Sequence, residues 1–265
     1  MAKDQSSGCE STVKIVYSRE MERRYPTNPM ENADRVALPA AMLGEFQFIE
    51  PPAASLEDIA RAHGIGHIER VKGSGLYDAA ALAAGGAICA AELSLEGEPA
   101  FALIRPPGHH ASANRAWGMC YFNNMAIAVQ KIRPKAKRVL IIDIDLHFGD
   151  GTVSIFRADS NVKIVNPWSV DESFEYLRMD QSRYLAQVKE AFLGFDCDIV
   201  GVSAGFDTYL EDWGGLLKIE DYKEIGRAIR DGAEEKCRGR RFALLEGGYH
   251  PDLGWCIKSF IEGFR

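Results

Sequence analysis

The stretch IIDIDLHFGDG, residues 141–151, sets Asp143, Asp145, His147 and Asp150 among four Ile/Leu residues. Burying three carboxylates and an imidazole there is costly unless a cation or paired partners hold them. Side chains two apart on a strand share a face, so Asp145 and His147 converge where the strand ends. Aspartate with histidine suits zinc or a similar divalent metal. A strand end with one satisfied histidine and helix-capping aspartates is the simpler alternative. The flanking sequence weighs against it.

Outward from this segment, short apolar runs alternate with helical patterns. VKIVY (13–17), FALI (101–104), RVLIIDID (138–145), NVKIV (161–165), CDIVGVSA (197–204) and RFALLE (241–246) read as strands. Between and around them, helices are expected from Asp34 onward and over 55–64, 76–93, 124–132, 151–158, 182–195, 219–237 and 252–264. Ser55 and Asp58 have capping-box spacing at the start of one of these helices. Continuous apolar strands alternating with helices predict an α/β fold: a single domain whose mostly parallel sheet is covered by helices on both faces. The chain divides into a polar segment, 1–12, and one domain, 13–265, with no Ser/Gly/Pro linker inside it.

Ligands in such sheets sit beyond the carboxyl ends of the strands, and every polar cluster falls at such an end. FALI runs into RPPGHH, LIIDID into LHFGD, IVGVSA into GFD, and FALLE into GGYH. Four motifs spread over about 140 residues can therefore meet in one crevice. Asp207, beyond the strand IVGVSA and next to a glycine-assisted turn, joins Asp145 and His147 as a third ligand. Three protein ligands leave an open position, the mark of a catalytic metal site.

His109 and His110 are adjacent in a proline-stiffened loop and cannot both be protonated cheaply. Asp143 and Asp150 remain once Asp145 and Asp207 hold metal, so two histidines and two spare aspartates make two dyads. Such a set supplies a group to take a proton from water and one to return it to a leaving amine. Tyr249, after two glycines, suits stabilisation of an oxyanion. His63 and His67 flank glycines in AHGIGH and read as turn or surface residues, while His250 is given no role.

The charge balance, 31 basic against 38 acidic residues for a net −7, disfavours sequence-independent binding to nucleic acid. No apolar run reaches the ~18 residues that span a bilayer, and the Ala-rich GAICAAEL region reads as a packed helix. Six scattered cysteines without a CxxC pair, and a polar start lacking a secretory pattern, lead to the expectation of free thiols and a cytoplasmic setting.

RPPGHHA (105–111), GMCYFNNMAIA (118–128), IDIDLHFGDGT (142–152), SAGFDTY (203–209) and EGGYH (246–250) together resemble the histone deacetylase superfamily, in the family's order. That superfamily includes bacterial and archaeal deacetylase-like proteins, acetylpolyamine amidohydrolases and acetoin-utilisation proteins. The resemblance runs from about Val13 to the C-terminus and implies the arginase/deacetylase fold. It implies zinc, or another divalent metal such as Fe²⁺, on Asp145, His147 and Asp207. It further implies a proton-shuttling dyad of His110 with Asp150, an electrostatic dyad of His109 with Asp143, and carbonyl polarisation by Tyr249. Gly118 matches the glycine whose carbonyl contacts the substrate amide, and Arg35 falls near the family's internal channel arginine. A structural potassium ion is implied beneath the zinc, held by Asp143 and the carbonyls of Asp145 and His147.

The sequence departs from the family pattern in four places. Met119 stands where many members place a tunnel-lining phenylalanine, so it is expected to line a looser substrate channel. Trp168 is a candidate for the opposite wall. No acidic residue matches the rim aspartate that grips a peptide backbone, and TYLEDWGG after Asp207 lacks the usual Asp-Pro continuation. The expected function is a zinc-dependent amidohydrolase removing an acetyl or short acyl group from an amine, such as acetyl-lysine in a protein or peptide. The rivals are a deacylase of acetylpolyamines or other small molecules, and a catalytically weak acyl-lysine binding module. A binuclear manganese ureohydrolase would want further Asp/His ligands, and the His109–His110 pair and Tyr249 fit a mononuclear site better.

Overall fold

The computed structural model describes residues 13–167 and 179–265. Seven strands, β1 (Lys14–Val16), β2 (Gln47–Ile49), β3 (Ala100–Ala102), β4 (Val139–Asp143), β5 (Val162–Val165), β6 (Ile199–Ala204) and β7 (Arg241–Leu245), form one sheet in the order β2-β1-β3-β7-β6-β4-β5. Every pairing is parallel. Consecutive residues of β4, β6 and β7 are all buried, and neighbours on a strand point to opposite faces, so both faces are covered.

Among the described residues nine α-helices do the covering: α1 (Asp34–Met42), α2 (Leu56–Ala60), α3 (Ile65–Gly73), α4 (Tyr77–Leu95), α5 (Asn124–Ile132), α6 (Asp150–Phe156), α7 (Gln181–Glu190), α8 (Ile219–Cys237) and α9 (Leu253–Phe264). Helices α4 and α5 pack on each other, as do α8 and α9, with α1 against α9. Phe260 of α9 meets Phe101 of β3 and Phe206 beyond β6, with ring centroids 6.0 Å away in both cases. Helix α4 is long and apolar enough to cross a membrane, yet most of it is buried inside the protein. Its alanines close-pack instead, and a side chain at Gly85 would collide with the Pro52 carbonyl.

The four strands that end in polar motifs, β3, β7, β6 and β4, are consecutive in the sheet. Their carboxyl ends therefore open onto one crevice, as the alternation predicts. Helix starts match the cap chemistry: Ser55 Oγ accepts the Asp58 N–H (3.1 Å) before α2, and Asn123 Oδ1 accepts the Ala126 N–H (2.8 Å) before α5.

Two elements differ from the expectation. Strand β2 is a three-residue edge strand of partly exposed residues, and α3 starts in the glycine-rich AHGIGH, where a turn is expected. Strand β4 also stops at Asp143, two residues early. Asp145 and His147 therefore sit in the turn that follows, and their convergence comes from turn geometry rather than from a shared strand face.

Candidate active site

The turn after β4 is held by its own acids. Asp145 Oδ1 accepts the His147 N–H (2.9 Å), Asp143 Oδ1 accepts the Asp145 N–H (3.2 Å), and Asp207 Oδ1 accepts the Leu146 N–H (2.9 Å). Asp145 Oδ2 also takes the Gly247 N–H at 2.8 Å, linking this turn to the loop after β7. Only glycine fits at 205 and 247, because a Cβ at either would collide with Asp145 Oδ2. Ligand atoms of Asp145, His147 and Asp207 consequently lie within 4.8 Å of one another.

Their electrostatics fit a divalent cation. Asp207 Oδ2 is buried 2.9 Å from His147 Nδ1, so the carboxylate and the imidazole face one point. Burial and the neighbouring Asp145 push Asp207 up to about 6. Burial opposes charge on His147, but Asp145 and Asp207 outweigh it and push the imidazole up to about 10. Two buried carboxylates thus call for positive charge at one point. A divalent ion on the three groups meets that demand.

The loop after β3 carries the histidine pair, and both dyads are formed. His109 Nδ1 is 3.1 Å from Asp143 Oδ2, and His110 Nδ1 is 2.6 Å from Asp150 Oδ1. The two rings lie 4.0 Å apart. Burial works against charge on both. For His109, Asp145, Asp143 and Glu246 overcome it and raise the imidazole well above its ordinary value. For His110, repulsion from His109 adds to burial, and the imidazole falls to about 4 despite Asp150. Asp150 is held below its usual range: burial opposes this, while hydrogen bonds from His110 and Trp117 prevail. The surroundings thus drive the two imidazoles in opposite directions.

Glu246, which sequence reasoning passed over, holds this loop in place. Its Oε2 accepts the N–H groups of Gly108 (2.7 Å) and His109 (3.1 Å), while its Oε1 is buried without a partner. Burial, first of all, pushes it up to about 7. An acid directly after the fully buried strand RFALL was the available signal, since such a carboxylate must find partners.

Tyr249 reaches the crevice through Gly248, whose φ of +114° excludes other residues. Asp212 Oδ2 accepts the N–H groups of Tyr249 (2.7 Å) and His250 (2.9 Å), fixing the turn. Trp213 stacks on the Tyr249 ring at 4.5 Å and meets His147 edge-on at 5.8 Å. Arg35 is buried behind this loop. It donates to the carbonyls of Gly248 (2.8 Å) and Glu246, and its guanidinium lies 4.7 Å over the Tyr249 ring. With Leu38, Pro39 and Tyr249 it lines a cavity of about 210 Å³. Glu31 bonds Arg35 (3.3 Å) and chelates Arg105 (2.9 and 2.8 Å), so the arginine is held from both sides.

Gly118 and Met119 both have left-handed backbones, with φ of +59° and +65°. A Cβ at Gly118 would collide with the His110 ring. Met119 is half-buried and lines a groove of about 520 Å³ with His67, Arg70, Trp117 and Gly118. Trp117 stacks on His110, centroids 3.9 Å apart. Neither Trp117 nor Trp213 stood out in the sequence, because a lone tryptophan carries no motif. Trp168 lies outside the described residues.

His63 and His67 are not surface residues: each is only 4% exposed. His63 Nδ1 pairs with the Ser112 carbonyl at 3.1 Å and its Nε2 accepts the Asn123 N–H at 2.8 Å, while His67 Nε2 pairs with the Tyr121 carbonyl at 2.7 Å. They anchor the loop that carries Trp117–Met119, whose passage over AHGIGH local sequence does not reveal. Cys89, Cys120, Cys197, Cys237 and Cys256 are free thiols, as expected.

The strand-end crevice, the Asp–His–Asp set and the two dyads define an α/β scaffold of the deacetylase type. The Histone deacetylase domain profile matches residues 28–176 and 172–264, and the chain belongs to that family. It is 33% identical to a probable deacetylase of Archaeoglobus fulgidus, over 89% of this chain and 80% of the relative. It is 29% identical to a histone deacetylase-like amidohydrolase of Pseudomonas aeruginosa, over 85% of this chain and 73% of that one. The fold is shared with an acetylpolyamine aminohydrolase from Burkholderia pseudomallei (TM-score 0.82, 24% identity, 96% of this chain and 98% of that one). Family membership supports deacetylase or amidohydrolase activity.

Proposed function

We propose that this protein is a zinc-dependent deacylase that removes an acetyl or short acyl group from an acylated amine such as acetyl-lysine. The observation that carries the reading is geometric: two His–Asp dyads, at 3.1 and 2.6 Å, stand side by side next to the Asp145–His147–Asp207 cluster. A neutral His110 with Nδ1–H on Asp150 has a free lone pair at Nε2, which accepts the proton of the attacking water and returns it to the leaving amine. A charged His109, anchored by Asp143, remains protonated and favours negative charge developing beside it. Tyr249 donates a hydrogen bond from its hydroxyl to the carbonyl oxygen as that charge develops. The Gly118 carbonyl accepts the amide N–H and orients the scissile bond. Zinc on Asp145, His147 and Asp207 supplies Lewis acidity toward the acyl carbonyl.

A pure acyl-lysine binder has no use for two His–Asp dyads and a tyrosine aimed at one point. The test is turnover by zinc-loaded protein of acetyl-lysine peptides, acetylpolyamines and small acetamides, with acetate release as the readout. Release from acetyl-lysine peptides supports the reading. Release from acetylpolyamines alone moves it to the small-molecule deacylases, and binding without release on the whole panel refutes it.

A further inference from the structure

Trp117 is 55% exposed, unusual for the largest apolar side chain, yet both of its chemical handles are engaged by one catalytic pair. Its face stacks on the His110 ring, centroids 3.9 Å apart at an interplanar angle of 29°. Its Nε1–H donates to Asp150 Oδ2 at 3.0 Å, while the other oxygen, Oδ1, holds His110 Nδ1 at 2.6 Å. Imidazole, carboxylate and indole therefore close a triangle.

The triangle matters because Asp150 is the less confined of the two dyad acids. Its side chain is 38% exposed, against 1% for Asp143 of the other dyad. An aspartate at the first residue of a short helix, half in water, turns readily about its broad Cβ–Cγ torsion. Each turn would release His110 Nδ1. The indole N–H, fixed to the second oxygen, opposes that turn, and the stacked ring face restricts the imidazole plane. The partners of metal- and proton-handling groups act this way, setting tautomer and ring orientation.

The loop delivering Trp117 is built for placement. Gly118 and Met119 turn the chain back with successive left-handed residues, and a side chain at Gly118 would displace His110. Upstream, the Ala113 carbonyl accepts the Gly64 N–H at 2.9 Å, and Ser112 and Asn123 are tied to His63. The indole is thus carried by a fastened turn although its outer face meets solvent.

We propose that Trp117 is a positioning residue for proton transfer: it locks the Asp150 carboxylate, and through it the Nδ1–H tautomer and ring plane of His110. The proposal rests on the deacylase reading above. It is tested in the zinc-loaded protein with Trp117→Phe, which keeps a stacking ring and loses the N–H, and Trp117→Leu, which loses both. Phe is expected to lower kcat about tenfold with KM within about twofold, and Leu to lower kcat about a hundredfold. The downfield proton resonance of the His110–Asp150 hydrogen bond, assigned by its loss in His110→Gln, is expected to broaden or vanish in Trp117→Phe.

Wild-type kcat together with an unchanged downfield proton in Trp117→Phe would overturn the proposal. So would a rise in KM alone, which would make Trp117 a wall of the substrate path. A Leu variant that fails to fold leaves the Phe variant as the deciding one. If the unaltered protein releases no acetate from any substrate, the deacylase reading fails, and the downfield proton alone decides: its loss in Trp117→Phe upholds the lock and its persistence refutes it.

Discussion

The rings of His109 and His110 stand 4.0 Å apart, and their surroundings drive the two imidazoles in opposite directions. Asp145, Asp143 and Glu246 outweigh the burial of His109 and raise it, whereas burial first and the neighbouring His109 second lower His110. The asymmetry assigns the base to His110. His110→Ala should therefore lower kcat by about 10²–10⁴, with a smaller loss for His109→Ala, which removes charge but leaves the base. The measurement is kcat at saturating substrate for both variants. Equal and small losses would remove the assignment.

The metal prediction does not need turnover. Asp207 keeps its Oδ1 bond to the Leu146 N–H if changed to Asn, but the carboxylate charge 2.9 Å from His147 Nδ1 disappears. Zinc should raise the wild-type Tm, by the equivalent of about 2.7 kcal/mol at a hundredfold excess over Kd, and leave the variant unmoved. An equal zinc-induced rise in both would mean that the metal sits elsewhere.

Tyr249→Phe keeps the ring between Arg35 and Trp213 and removes only the hydroxyl. The loss should fall on turnover, by about 10²–10³, with little change in KM. A variant as fast as wild type would make Tyr249 a packing residue.

His63 yields a pH prediction away from the metal. Burial and the nearby His67 lower it to about 4, against 6.5 for a free imidazole. Between these values the unfolded chain carries a proton that the folded one refuses. Stability should thus fall as pH drops from about 6.5 to about 4, by at most about 1.4 kcal/mol per pH unit from this group. His63→Gln lacks that contribution. Urea unfolding of both proteins across this range should show a shallower pH dependence in the variant, and parallel curves would contradict the burial of a neutral His63.

The central sheet and its crevice were legible because β3, β4, β6 and β7 are apolar runs that stop at polar clusters, a pattern local in sequence. The residues that were missed or misread depend on a distant segment passing close by. His63 and His67 sit between glycines and resemble turn residues until the 111–123 loop crosses them. Glu246 gains its purpose from the amides of Gly108 and His109, 138 and 137 residues away. Trp117 and Trp213 are significant only because Asp150 and Tyr249 lie against them. The turn after β4 shows a right answer reached for a partly wrong reason: Asp145 and His147 do meet, but beyond the strand.

Met119 gives the last prediction, about what enters the crevice. Its side chain is flexible and lacks an aromatic face, and its neighbours in the groove include Trp117, His67 and Arg70. A rigid ring at 119 would narrow the passage and grip a methylene chain by packing. Met119→Phe keeps the cost of the left-handed backbone, since neither residue is glycine, so stability should change little. The ratio of kcat/KM for an acetyl-lysine peptide over a compact acetamide should rise about tenfold, the lower end of what one methylene's worth of packing discriminates. Both substrates share the scissile bond, so the ratio cancels effects on the chemistry and isolates the channel. If it stays put, residue 119 does not line the substrate channel.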